Sequence, residues 1–277
     1  MMFYRLIKFD IIKGSRCGVK RCVLFITVIL FACVDATLQM KIIGEGQPAT
    51  LGNYYAYIFG GIKPYEPKIH DFFKVPLLWL LVNGLLLYFP SKYVWEDFEG
   101  VGANIIYRSQ SRLLWWLSKN IYLALNICLY SLLSWLLIFL FAFFSGTELS
   151  FTCSSYMLEI MDVGFEALPP DQWPIGLEYL ATPLFTCITM GCMQLFVGLI
   201  SKPTYSYIIS VIVLISSAYA FHPFLIGNYA MGIRSANINP SYGFFWWNSL
   251  PCFVFIIFLS LFAGSIVFSR HNILGRE

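Results

Sequence analysis

The chain has 277 residues, 58% of them hydrophobic and only 12% charged, with 18 Lys and Arg against 15 Asp and Glu. A soluble domain carries roughly 25% charged residues, so this composition excludes a water-facing globular surface and leaves lipid as the solvent. Backbone groups in lipid must be paired internally, which restricts the choice to helices or a closed barrel; the apolar runs are long and unbroken, without the short alternation of barrel strands.

The predicted fold is therefore an all-α integral membrane protein, a single transmembrane domain over residues 1–277. A helix needs about 20 apolar residues to cross the hydrocarbon core. Runs of that kind give a six-transmembrane-helix bundle with spans near 22–39, 75–90, 120–145, 175–200, 204–230 and 245–269.

Residues 2–14 precede the first span and mix basic and apolar side chains. Wound as a helix, they put Arg5, Lys8 and Lys13 toward water and Phe3, Leu6, Ile7, Phe9 and Ile11 toward lipid. That reads as an N-terminal interfacial helix, with a flexible basic leader as the alternative. The first span is long enough to cross and has no small-x-small cleavage site after it, so it is expected to stay uncleaved. The loop from Met40 to Lys74 collects turn residues and tyrosines, which fits a structured cap at headgroup level.

The loop Ser91–Lys119 carries the most information. Glu96, Asp97 and Glu99 precede Gly100 and Gly102, a short apolar piece follows, and then come Arg108 and Arg112. Ser111 is placed to cap a helix beginning near Arg112 that runs into the third span. Trp115 and Trp116 fit an aromatic belt, and Lys119 is within snorkelling reach of the interface. The next loop, Gly146–Trp173, has five acidic residues and no Lys or Arg; an amphipathic helix is expected within Ser155–Leu168.

His222-Pro223 falls inside the predicted fifth span, where proline removes a backbone hydrogen bond. The pair is a candidate gating hinge, with a plain packing kink as the blander reading. Gly191, Gly198 and Gly264 offer small surfaces for close helix approach, within one chain or against a second copy. Asp35 and Glu178 sit near outer span ends and read as interfacial carboxylates.

Lys and Arg concentrate on one side of this topology. With the N-terminus inside, thirteen fall on the inner side and five (Lys41, Lys63, Lys68, Lys74 and Arg234) on the outer. The positive-inside rule then predicts a plasma-membrane protein with both termini cytoplasmic. Scattered histidines and cysteines inside apolar spans argue against a metal site or a disulfide framework.

Taken together, Glu99-Gly100-x-Gly102 and Arg108-Ser-x-Ser111-Arg112-x-x-Trp115-Trp116-x-x-Lys119 resemble the permease subunits of type-two ATP-binding-cassette exporters, most closely small Gram-positive permeases of peptide export or immunity. The resemblance implies a cytoplasmic coupling helix after the second span, contacting a separate ATPase subunit. It assigns coupling to Gly100, Arg108, Ser111, Arg112 and Lys119, and pairs the chain with a second permease copy or paralogue. The cargo it implies is hydrophobic or amphipathic, plausibly a peptide. The chain lacks a Walker phosphate loop, so no enzyme activity or cofactor is expected of it; ATP belongs to the partner subunit. A stand-alone membrane immunity or sensor protein is the alternative, and an intramembrane lipid enzyme lacks paired catalytic groups. Nothing in the sequence suggests nucleic acid as a partner.

Overall fold

The computed structural model describes residues 2–44, 47–65, 72–102, 111–161, 172–176, 178–236, 238 and 243–270. Helix dominates, as the composition requires. In chain order come α1 (Met2–Cys17), α2 (Val19–Ile43), α3 (Leu51–Phe59) and α4 (Leu77–Asp97), whose end widens into a π-helical turn over Phe98–Gly102. After residue 110 follow α5 (Arg112–Phe144), a short strand β1 (Thr152–Ser154), α6 (Tyr156–Ile160) and β2 (Gln172–Pro174). The chain closes with α7 (Glu178–Ile200), α8 (Pro203–Tyr219), 3₁₀ turns at Ile226–Ala230 and Gly232–Arg234, and α9 (Trp246–Arg270).

Among the described residues five helices are long and apolar enough to cross a membrane: α2, α4 with its extension, α5, α7 and α9. This is a multi-pass membrane protein. The fifth predicted span is shorter than expected: α8 stops at Tyr219, and its 17 residues cover about 25 Å at 1.5 Å per residue. Other boundaries also move. Pro90 does not end the second span, because α4 continues to Asp97 with the proline inside it. The Ser91 hydroxyl next to it donates back along the helix to the carbonyls of Leu87 (2.7 Å) and Tyr88 (3.1 Å).

Helices α4 and α7 form the centre, and α7 lies against α4, α5, α8 and α9. Glycine makes that packing possible. A Cβ at Gly191 would stand 2.7 Å from the Leu123 side chain of α5, one at Gly198 2.4 Å from the Trp95 ring of α4, and one at Gly264 2.4 Å from the Trp116 ring. The three predicted close approaches are thus made within the chain.

The helix ends sort into two layers. One layer joins α1, the end of α4, the start of α5 and the end of α9, where Trp115 stacks on Phe268 at 5.0 Å. The other holds α3, β1, β2 and the segment after α8. There Thr50 caps α3, and its hydroxyl donates to the Thr152 carbonyl at 2.6 Å. The Asn53 side chain donates to Tyr156 Oη (2.7 Å) and accepts from the Ser154 amide (2.9 Å). The loop after the first span is thus a structured cap, but α3 is almost wholly buried rather than lying along the surface.

Candidate functional site

The layer built around α1 contains a buried ionic cluster. Asp10, Asp97 and Lys119 are each at most 2% exposed. The Lys119 ammonium donates to Asp10 Oδ1 and pairs with Asp97 Oδ2 at 2.7 Å. Lys13 donates to the other Asp97 oxygen at 2.6 Å. Two cations therefore meet two carboxylates, which is the balance a buried cluster needs to avoid an uncompensated charge. Tyr93 donates to Asp10 Oδ1 at 3.2 Å, and the Lys119 ammonium lies 5.4 Å from the Tyr93 ring and 5.1 Å from the Trp115 ring. Burial pushes the Asp10 carboxyl above its ordinary range, against the opposing pull of the Lys119 ammonium.

This geometry corrects two expectations. Lys119 does not snorkel to the interface; α5 begins at Arg112, so Lys119 falls in its third turn and faces the core. Helix α1 turns Leu6 into the bundle rather than toward lipid, and Lys13 to Asp97 rather than to water. Leu6, Asp10 and Gly14 are its buried stripe, while Ile11 and Ile12 are exposed. Gly14 is needed there, since a Cβ would lie 2.1 Å from the Tyr122 hydroxyl of α5. Asp10 and Asp97 escaped the sequence reading as site residues. The available signal was the i, i+4, i+8 spacing of Leu6, Asp10 and Gly14, with one acid in an otherwise basic helix.

The other predicted coupling residues surround the cluster. Ser111 caps α5 by accepting from the Leu114 amide at 3.4 Å, as expected. Arg112 donates to the Ser269 carbonyl at 2.8 Å, tying the start of α5 to the C-terminal end of α9. Gly100 is exposed and leaves helical geometry (φ −105°, ψ −116°) where α4 runs out. Arg108 and the expected coupling helix lie outside the described residues, as does the second half of the Ser155–Leu168 segment, whose first half contains α6. Asp35 accepts from the Tyr57 hydroxyl at 2.6 Å, eight residues before the end of α2.

A second buried cation stands in the opposite layer. The five N–H groups of Arg234 donate to the carbonyls of Ile62, Lys63, Ser217 and Ala218 and to the Asn228 side-chain oxygen. Ser217 and Ala218 belong to the last turn of α8, so the guanidinium caps carbonyls that have no helical partner. This explains why α8 stops. It also moves His222 and Pro223, which lie in the non-helical segment beyond the helix, both exposed. They do not kink a continuous span, because no helix passes through them.

Among the described residues no His, Cys, Asp and Glu cluster is suited to a metal ion, and the seven cysteines whose side chains are described are free. Comparison with known proteins gives no match: no family model, no curated protein and no solved structure is significantly similar to the chain.

Proposed function

We propose that the chain is the membrane-spanning subunit of an ATP-driven exporter, with the layer around Asp10 facing the cytoplasm and ATP hydrolysed on a separate ATP-binding-cassette subunit. The observation that carries this reading is the anchoring of both ends of the loop between α4 and α5. Asp97, before the loop, is bound to Lys119 and Lys13; Arg112, after it, is bound to the end of α9. A partner pressing on that loop moves α1, α4, α5 and α9 as one body, the rigid coupling a transporter needs. Lys119 and Arg112 act here as internal fasteners, and Gly100 as the exposed point from which the loop departs.

In this reading α8 also crosses, as the fifth of six spans in chain order. It starts beside Trp95, where Ser206 approaches Gly198, and its last turn reaches the Arg234 layer. Its 25 Å or so approach the thickness of a thin bilayer core, and the capped segment after Tyr219 completes the passage. Both termini then lie inside. The cargo is a hydrophobic or amphipathic molecule, plausibly a peptide, and a second permease chain completes the pathway.

Purification of the tagged chain from its native membranes in mild detergent, followed by mass spectrometry, tests the reading. A stoichiometric ATP-binding-cassette ATPase is expected, with its activity stimulated by this chain and the stimulation lost when residues 98–111 are deleted. An intact, monodisperse protein with no ATPase bound would overturn it in favour of a stand-alone immunity or sensor protein.

A further inference from the structure

Residues 203–269, from the start of α8 almost to the end of α9, include no Asp, Glu or Lys and a single Arg, Arg234. Arg234 is 1% exposed, so the connection between the two helices shows no charged side chain on its surface, where a soluble protein keeps most of its charge. It shows apolar rings instead. Phe224 is 82% exposed, and Tyr219, Phe245, Trp246 and Trp247 are between 43% and 51% exposed. We propose that the turn over residues 220–225 and the first turn of α9 lie within the bilayer leaflet on the Arg234 side, with lipid against Phe224, Trp246 and Trp247.

Backbone pairing separates lipid from water here. A turn in water leaves carbonyls to the solvent, whereas non-helical backbone at membrane depth must find its partners in the protein. Residues 220–225 find theirs. The amide nitrogen of the buried Asn228 donates to the carbonyls of Ala220 (3.1 Å), His222 (3.1 Å) and Leu225 (3.2 Å). The Tyr229 hydroxyl donates to the Pro223 carbonyl at 3.1 Å. On the donor side, the Ala220 amide bonds back to the Ser216 carbonyl, the Leu225 amide to the His222 carbonyl, and the Phe224 amide to the His222 ring at 3.4 Å. Two side chains thus satisfy four carbonyls of a turn whose own side chains at His222, Pro223 and Phe224 are exposed. Such pairing is redundant in water and required in lipid.

Depth agrees with this. The segment that supplies Asn228 and Tyr229 is level with the first turns of the two central spans. Trp79 of α4 donates its indole N–H to the Ala230 carbonyl at 3.0 Å, and a Cβ on Gly232 would stand 2.1 Å from the Tyr179 ring of α7. Helix α8 rises about 10 Å less than the 23 residues of α7, at 1.5 Å per residue, so non-helical chain takes its place on that side of the membrane. Aromatic side chains favour this boundary. Phe221 and Tyr229 pack on Phe244 with ring centroids 4.3 and 5.1 Å away, which leaves Phe224 as the outward ring of the turn.

The inference rests on the reading of α8 as a crossing and needs no ATPase partner. The unaltered full chain in phosphatidylcholine nanodiscs tests it, one sample carrying a photoactivatable diazirine along the lipid acyl chain and a second exposed to hydroxyl radicals in the water. Peptide mass spectrometry locates both kinds of adduct. Phe224 is expected to resist oxidation and to take acyl-chain adducts within about fivefold of Phe258, an exposed ring midway along α9, as a boundary aromatic should. Oxidation of Phe224 without acyl adducts, while the exposed Ile208 and Ile212 of α8 take them, would put the turn in water. That result overturns the proposal and leaves α8 a crossing. Protection of Phe224 from both reagents would make the patch a protein contact, which also overturns it. Absence of acyl adducts from Ile208, Ile212 and Phe224 together would remove the crossing along with the turn's place in lipid.

Discussion

The two ends of the molecule bury a cation in different ways. Around Lys119 the compensation is formal charge, supplied by Asp10 and Asp97 from two other helices. Around Arg234 it is a cage of neutral oxygens, two of them from the last turn of α8. A compact ammonium suits the first arrangement, because it acts as a point charge between carboxylates. A planar guanidinium with five donors in a fixed fork suits the second. The first ties separate helices together and can change with protonation; the second fixes where one helix ends. A moving interface is better served by the first, and a static cap by the second.

The largest expected effect is at the cage. Arg234→Ala removes all five donors at once and leaves buried carbonyls unpaired, which at about 1–3 kcal/mol per unsatisfied group exceeds what a marginally stable protein tolerates. Loss of a monodisperse folded species in detergent is expected, measured by size-exclusion chromatography and circular dichroism. Arg234→Lys, with three donors, should rescue only part of it. Full rescue would show that the charge matters and the fork does not.

Lys119→Met breaks the ionic cluster by leaving two carboxylates with Lys13 alone. Removing one partner of a buried pair costs about 3–5 kcal/mol, so a lower unfolding midpoint is expected at pH 8. The effect should shrink at pH 5. A carboxyl whose folded value is raised, as Asp10's is by burial, favours the folded chain below that value and loses the advantage as pH climbs through it. Asp10→Asn on the same background should abolish the pH dependence. A response unchanged by Asp10→Asn would place the titration elsewhere.

The smallest effect is expected at Arg21–Glu96, 2.6 Å apart but with the Glu96 side chain 48% exposed. Glu96→Gln should shift stability by no more than about 1 kcal/mol, since exposed ion pairs contribute little. A shift as large as that of Lys119→Met would erase the distinction between the buried and the surface pair.

Much of the molecule is legible in the sequence, for identifiable reasons. Five spans follow from length and hydropathy, because nothing but helix satisfies a backbone in lipid. The Ser111 cap and the close approaches at Gly191, Gly198 and Gly264 depend on local chemistry and small size, both of which sequence displays. The sites are less legible. Asp10 looked like one acid in a basic leader, and Asp97 like part of an acidic stretch. Their partner, Lys119, lies more than a hundred residues from Asp10 and more than twenty from Asp97. The proline at position 223 suggested a kinked span, when the helix had already ended under Arg234.

The sequence by itself determined that the chain is a multi-pass helical membrane protein, where most of its helices run, and where the charge lies. Those properties are sums over residues, or follow from the nearest few neighbours. Only the tertiary structure decided which charges are buried together, where α8 stops, and what pairs the carbonyls of the turn beyond it. Each depends on contacts between residues far apart in the chain, and such contacts exist only once the helices have packed.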